Sequence, residues 1–493
     1  MPEESVRVLV VGAGFGGLSA AAHLRAAGYR SPDDLLIIEK ADQVGGTWRD
    51  NTYPECACDV QSVLYSFSFA PNPDWPRSYS RQPEILDYLV RTARDTGLID
   101  HVRFGCELIG AHWDGTHWIA ETSSGTIRAQ VLVAATGALS APRLPDLPGL
   151  GGFSGHAFHS ARWDHSVPLK GKRVGVVGTG ASAVQFVPAI APDAGQLTVF
   201  QRTPGWVIPR GDRAYAAAER ALFRRWPITQ RIARGSTYLY RESYVLSMAH
   251  FPKLLPGIQL VAETHLRRQV KDPELRAKLR PPFQIGCKRA LLSDDWFPAL
   301  QRPNVELVTA AAAEVTPDGV VDAAGRKHEL DVLIFGTGFT PTEPPVARLI
   351  TGRAGLTLAE TWDGSPRAHL GITVHGFPNL FLMYGPNTNL GHSSIIYMLE
   401  SQARYVVDAV RTLDRADLAS LEVRAETEHD YVADVHRKLE RSVWNQGGCA
   451  SWYLDRNGRN SVMWHTFTWR YRQATRRIDL DNYHLKAVPL NAL

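Results

Sequence analysis

The sequence predicts an α/β protein with two Rossmann-like dinucleotide-binding domains and a helical insertion in the second. Three observations carry this prediction. VVGAGFGG at Val10–Gly17 and VVGTGASA at Val176–Ala183 each follow an apolar, β-branched run and precede a helical pattern, the context a glycine fingerprint needs. Between them, Pro142, Pro145 and Pro148 in SAPRLPDLPGLGG break regular structure and mark a linker. From Pro209 to Pro282 the βαβ rhythm lapses into helical runs such as AYAAAERALFRRW, with fifteen basic against six acidic residues. The expected boundaries are 1–145 for the first part of one domain, 146–340 for the second domain with its insertion at about 209–282, and 341–493 for the return to the first domain plus a C-terminal segment.

A chain of 493 residues, 44% hydrophobic and 21% charged, can fill two or three cores. Its net charge of +4 is too small to argue for nucleic acid. The N-terminus runs into a strand without a basic leader, and there is no apolar span of membrane length, so a cytoplasmic protein without an integral membrane segment is expected. The five cysteines (Cys56, Cys58, Cys106, Cys287, Cys449) have neither disulfide-framework nor zinc-site spacing. They read as free thiols in a reducing compartment, and no metal is expected.

Val8–Val11 suits a buried parallel strand, and Leu18–Ala27 reads as a helix stopped by Gly28. In the loop between, Gly12 permits the turn, Gly14 lets a pyrophosphate approach and Gly17 allows close helix–strand packing, with Phe15 beside them. The phosphate then meets the free N–H groups of a helix N-terminus. Leu35–Ile38 is the next strand and ends in Glu39, placed to bind ribose hydroxyls. Alternation between Val102 and Arg128 predicts a small appended antiparallel sheet, and Val131–Thr136 a separate return strand before Gly137. In the second domain, Gly178-Thr179-Gly180-Ala-Ser182-Ala183 repeats the loop, and the strand Thr198–Gln201 ends in Arg202-Thr203 instead of an acid. A guanidinium there pairs with a ribose 2′-phosphate, which favours NADPH over NADH. The basic insertion reads as a solvated helical subdomain that draws in anionic NADPH, because its prolines and scattered charges interrupt any membrane-binding face.

Two further strings identify a family. Phe153, Gly155, His159, Trp163 and Asp164 fit a twelve-residue signature that ends in Trp-Pro or Trp-Asp. Gly45-Gly-Thr47-Trp48, Tyr53-Pro54 and Asp59 follow a second signature, in which Glu55 stands where Gly or Met is usual. A glycine there accommodates a positive φ that glutamate resists. With Gly286-Cys-Lys288-Arg289, these strings resemble the type I Baeyer–Villiger monooxygenases over nearly the whole chain.

The resemblance implies FAD on the first domain, with Thr47, Trp48 and Asp59 lining the flavin and Leu108 meeting the adenine through its backbone. It implies NADPH on the second, with Lys288 on the phosphate or ribose and Trp452 in a region that closes over the nicotinamide. Phe153 to Asp164 would occupy the hinge between the domains. His392, near the start of a helix facing the flavin, reads as a cap or packing residue, with an acid–base group as the alternative. The implied reaction converts a ketone with molecular oxygen into an ester or lactone through a C4a-peroxyflavin. Arg289 would support the developing negative charge, and Asp59 would position it. The alternative is a flavin monooxygenase acting on nitrogen or sulfur, which would need no Arg289–Asp59 pair.

Overall fold

The computed structural model describes residues 4–488; Met1–Glu3 and Pro489–Leu493 lie outside the described residues. β1 (Glu4–Val11) is central to an eight-stranded sheet, because its apolar second half must be covered on both faces. It pairs in parallel with β2 (Leu35–Ile38) and with β6 (Gly125–Ala134), and β3 (Val102–Arg103) continues beyond β2. α1 (Phe15–Ala27) leaves β1 through the glycine loop and ends at a left-handed Gly28. A Cβ on Gly17 would lie 1.8 Å from the Gly12 carbonyl oxygen, so only glycine lets helix and strand approach this closely.

The separate antiparallel sheet is not formed. β4 (Leu108–Trp113) and β5 (Trp118–Thr122) pair antiparallel, and β5 pairs with Gly125–Ala129 of β6. The ten-residue β6 also runs parallel to β1, so the antiparallel strands extend the main sheet. Its pattern changes from alternating to buried on both faces at Ala129, which made one strand read as two.

Further on, the short α2 (Thr47–Asp50) and α3 (Gln82–Asp95) flank the loop that carries Tyr53 to Asp59. The second sheet is parallel throughout. Its strands are β7 (His156–His159), β8 (Arg173–Val177), β9 (Gln196–Phe200) and two later ones, Val305–Val308 and Val332–Phe335. The stretch read as a hinge is therefore one-third strand: β7 is the sheet's edge, paired with Val332–Phe335. Gly155 must be glycine, since a Cβ there would sit 2.3 Å from the Asp331 oxygen and 2.8 Å from the Phe153 ring. α4 (Ala183–Ile190) follows β8, as the fingerprint requires.

The insertion holds α5 (Ala217–Arg225), α6 (Pro227–Val245) and α7 (Leu255–Gln269), and is pinched at its ends by parallel pairing of β10 (Val207–Ile208) with β11 (Leu291–Leu292). After the second sheet the chain returns to the first: Ile350–Thr351 pairs with β4 and Leu380–Leu382 with β6. The helix Ile395–Arg415 then packs on α1.

Cys287 and Cys449 form a disulfide across 162 positions, which corrects the reading of five free thiols. The partners lie too far apart in sequence for spacing to disclose them, and the reducing compartment loses the support the thiols lent it. Cys56, Cys58 and Cys106 are free and buried. Among the described residues no helix is long and apolar enough to cross a membrane, and no group of His, Cys, Asp and Glu could hold a metal.

Candidate active site

The first fingerprint forms a trough between two glycine turns. Gly14 caps α1 without a side-chain hydrogen bond, and a Cβ on it would lie 3.6 Å from Gly46 Cα. The first-turn amides are thus left for an anion. Glu39 is buried at the end of β2 and accepts from the N–H groups of Ala13 (2.9 Å) and Ala41 (3.1 Å) and from the Arg49 guanidinium (2.9 Å). Thr47 opens α2, and the Trp48 indole donates to the Tyr65 hydroxyl at 3.1 Å. Phe15 packs inward, 5.2 Å from the Tyr65 ring and 5.0 Å from that of Phe67, which makes it part of the core. Leu108 begins β4 two residues after Cys106, whose N–H donates to the Glu39 carbonyl at 3.0 Å.

The second fingerprint repeats the cradle. A Cβ on Gly178 would meet the Gly336 oxygen at 2.5 Å, and the loop of Thr179, Gly180 and Ser182 leads into Ala183 without a side-chain cap. Arg202 is exposed past the end of β9, with Thr203 beside it. Lys288 stands near: burial, and then the charge of Arg202, depress its pKa. Neither cation has an ion-pair partner among the described residues. Two cations held together without a carboxylate make an anion site.

A cleft of about 300 Å³ opens beside Lys288, between the Asp59 loop and the insertion. Arg289 and Asp59 line it, with Nε and Oδ2 3.5 Å apart. The arginine keeps 35% of its side-chain surface accessible and the aspartate 11%. Burial works most strongly against the guanidinium charge, but Asp59 together with Tyr453, Cys58 and Tyr384 more than offsets it and the arginine's pKa is raised. Gln185 of α4 donates to Asp59 Oδ1 at 3.4 Å, and accepts from Tyr53 Oη (3.2 Å) and the Ala57 N–H (3.1 Å). Two insertion arginines hold the same loop: Arg241 donates to the Asp59 carbonyl (2.9 Å) and Arg210 to that of Cys58 (3.1 Å). Tyr453 lines the cleft beside Arg289, its phenol pushed up to about 12 by burial. Trp452 is 37% exposed and packs on Tyr453 at 4.5 Å. His392 reaches the cleft and shares Nε2 with the buried Glu242 at 3.2 Å.

The signature residues stand behind the cleft. Trp163 lies 5.2 Å from Phe186 of α4, and Phe186 lies 5.9 Å from Tyr53. His159 is buried and accepts from the Ala161 N–H at 3.0 Å; burial lowers its pKa. Asp164 accepts from the N–H (2.9 Å) and hydroxyl (2.6 Å) of Ser166, closing a local turn.

Residues 9–218, spanning both fingerprints, match the family described as Pyridine nucleotide-disulphide oxidoreductase. A "Baeyer-Villiger monooxygenase" of Streptomyces coelicolor is 48% identical over 98% of this chain and 93% of its own. The chain belongs to the Baeyer–Villiger monooxygenases. Among solved structures, "Oxidized steroid monooxygenase bound to NADP" is similar at a TM-score of 0.86 and 31% identity, covering 98% of this chain and 100% of that one. "OTEMO complex with FAD and NADP" reaches a TM-score of 0.88 at 26% identity, again over 98% and 100%.

This Baeyer–Villiger monooxygenase is an NADPH-dependent flavoprotein that uses FAD, molecular oxygen and an organic substrate. The donor sets fit the cofactors. An uncapped helix start facing a second glycine turn suits the FAD pyrophosphate, and the unpaired Arg202 and Lys288 suit the 2′-phosphate of NADP. Sequence reasoning missed Gln185, Arg210, Arg241 and Tyr453. Tyr453 adjoins Trp452, and the basic excess of the insertion is the signal for Arg210 and Arg241; Gln185 has none beyond its place in the helix after the second fingerprint.

Proposed function

We propose that this monooxygenase inserts one oxygen atom into ketones to give esters or lactones. The observation that carries the reading is the Arg289–Asp59 pair on the wall of the cleft. On this reading Gly12, Gly14, Glu39, Thr47 and Trp48 hold FAD, and Gly178 to Ala183, Arg202 and Lys288 hold NADPH. Bound FAD, once reduced, supplies the activation of molecular oxygen for attack on a carbonyl carbon.

The chain's own part is electrostatic. Negative charge develops on oxygen in the cleft as the carbonyl is attacked, and Arg289 offers a fixed cation for it. An arginine keeps its proton at any working pH, so the site needs no titration to be charged. Asp59 fixes the guanidinium's direction, and Gln185, Arg210 and Arg241 fix Asp59 and its loop. Arg289→Ala is expected to lower ester or lactone formation about 100-fold or more, the cost of losing one preorganised charge contact. Anaerobic reduction of the flavin by NADPH should stay near the wild-type rate, because the fingerprints that position donor and acceptor are untouched. Product analysis with cyclic, linear and aryl ketones checks both steps. Oxygenation of amines or sulfides without ketone turnover would overturn the reading.

A further inference from the structure

The outer face of the insertion is apolar and uncovered. More than half of the exposed large apolar side chains among the described residues fall between Leu222 and Val261. On α6, Ile228, Ile232, Gly235 and Leu239 recur at spacings of four, three and four, which is one stripe of a helix. Ile232 is 65% and Leu239 68% exposed, and Phe251, Leu254 and Leu260, which follow α6 and enter α7, are exposed as well. Isolated exposed leucines are ordinary, but a stripe of this length on one subdomain marks a contact surface.

The prolines and charges expected to interrupt this face do not. Pro227 and Pro256 stand in the first turns of α6 and α7, where proline leaves a helix intact. Arg234 and Arg241 turn inward to backbone carbonyls, leaving the stripe apolar. Arg225, Arg231 and Lys253 are exposed around it, with no ion-pair partner among the described residues.

We propose that this face binds the surface of an anionic phospholipid bilayer, with the α6 stripe at the acyl boundary and the flanking cations at the headgroups. Charge selects this occupant. The insertion carries fifteen basic and six acidic residues, so the rest of a chain of net charge +4 is net acidic. A second copy docked through the same face would set cation against cation, whereas an anionic lipid surface complements it. Tyr240, 55% exposed, also lines the cleft, so the face lies at the cleft's edge. The inference does not depend on which substrate is oxidised.

Flotation of the full-length, FAD-loaded protein with phosphatidylcholine vesicles, with and without phosphatidylglycerol, tests it. Binding is expected only with phosphatidylglycerol, weakening as salt rises, and falling at least ten-fold in Ile232→Asp/Leu239→Asp. That variant should keep wild-type flavin content and oxidation of a small water-soluble substrate. Should it lose flavin, Arg225→Glu/Arg231→Glu takes its place with the same expected loss. No binding by the wild type, or binding that neither variant weakens, overturns the proposal. So does a reversible dimer in sedimentation velocity that either variant dissolves, since the face would then belong to a second copy.

Discussion

Glu55 holds a φ of 61°, in the region where a Cβ meets the following carbonyl. The left-handed turn that a glycine would favour is therefore made with a glutamate. Its one compensation among the described residues is an exposed ion pair with Arg81 at 2.6 Å, worth little in water. Glu55→Gly is expected to stabilise the protein by about 0.5–1 kcal/mol, since relief of left-handed strain exceeds the lost pair and the added chain entropy. Equilibrium urea unfolding measures it. At the opposite end of the site, Arg202→Ala should raise KM for NADPH about 10- to 100-fold, the range of one charge-assisted bond, and scarcely change that for NADH. Lys288→Ala should act on the same coenzyme. Because the two cations are close enough to depress the lysine's pKa, the double variant should fall short of the product of the singles.

At the scale of elements, α4 does more than present its N-terminus to a phosphate. Through Gln185 it holds the Asp59 loop, and through Phe186 it meets Tyr53 and Trp163. The signature tryptophan thus supports the cleft from behind without lining it. Trp163→Ala should destabilise by about 3 kcal/mol, the low end for loss of a large aromatic because the ring is only half-buried. It should also slow oxygenation through a displaced Asp59 while leaving FAD bound. Unchanged kinetics with lowered stability would confine Trp163 to packing.

At the scale of the molecule, two features join distant parts of the chain. The Cys287–Cys449 bridge ties the loop that carries Lys288 and Arg289 to the loop that carries Tyr453. Cys287→Ser/Cys449→Ser is expected to cost about 2–4 kcal/mol of stability, read by chemical denaturation against the oxidised wild type. Buried histidines give the second. Burial pushes His369 down to about 4 and His465 down to about 3. In the unfolded chain each takes up its proton near pH 6.5, so their stabilising effect is complete above that value and is lost as pH falls towards 4. At pH 5 the penalty is about 2 kcal/mol for each. A melting temperature that stays flat from pH 7 to 5, or a slope that His369→Gln leaves unchanged, would contradict this.

The sequence specifies both nucleotide folds, because glycine loops, apolar strand runs and capping signals act over a dozen neighbouring residues and leave a local imprint. For the same reason it placed Glu39, Arg202 and Arg289 at strand ends or in fixed strings. That β6 is one strand follows from packing, since pairing on its two edges, not its own composition, sets its length. Only the tertiary structure joined Cys287 to Cys449, brought Gln185 to Asp59, and turned Arg210 and Arg241 inward while other insertion cations stayed outside. Those contacts span more than a hundred residues and depend on how two sheets and a helical insertion pack together. A side chain's own neighbourhood in sequence carries no record of that packing.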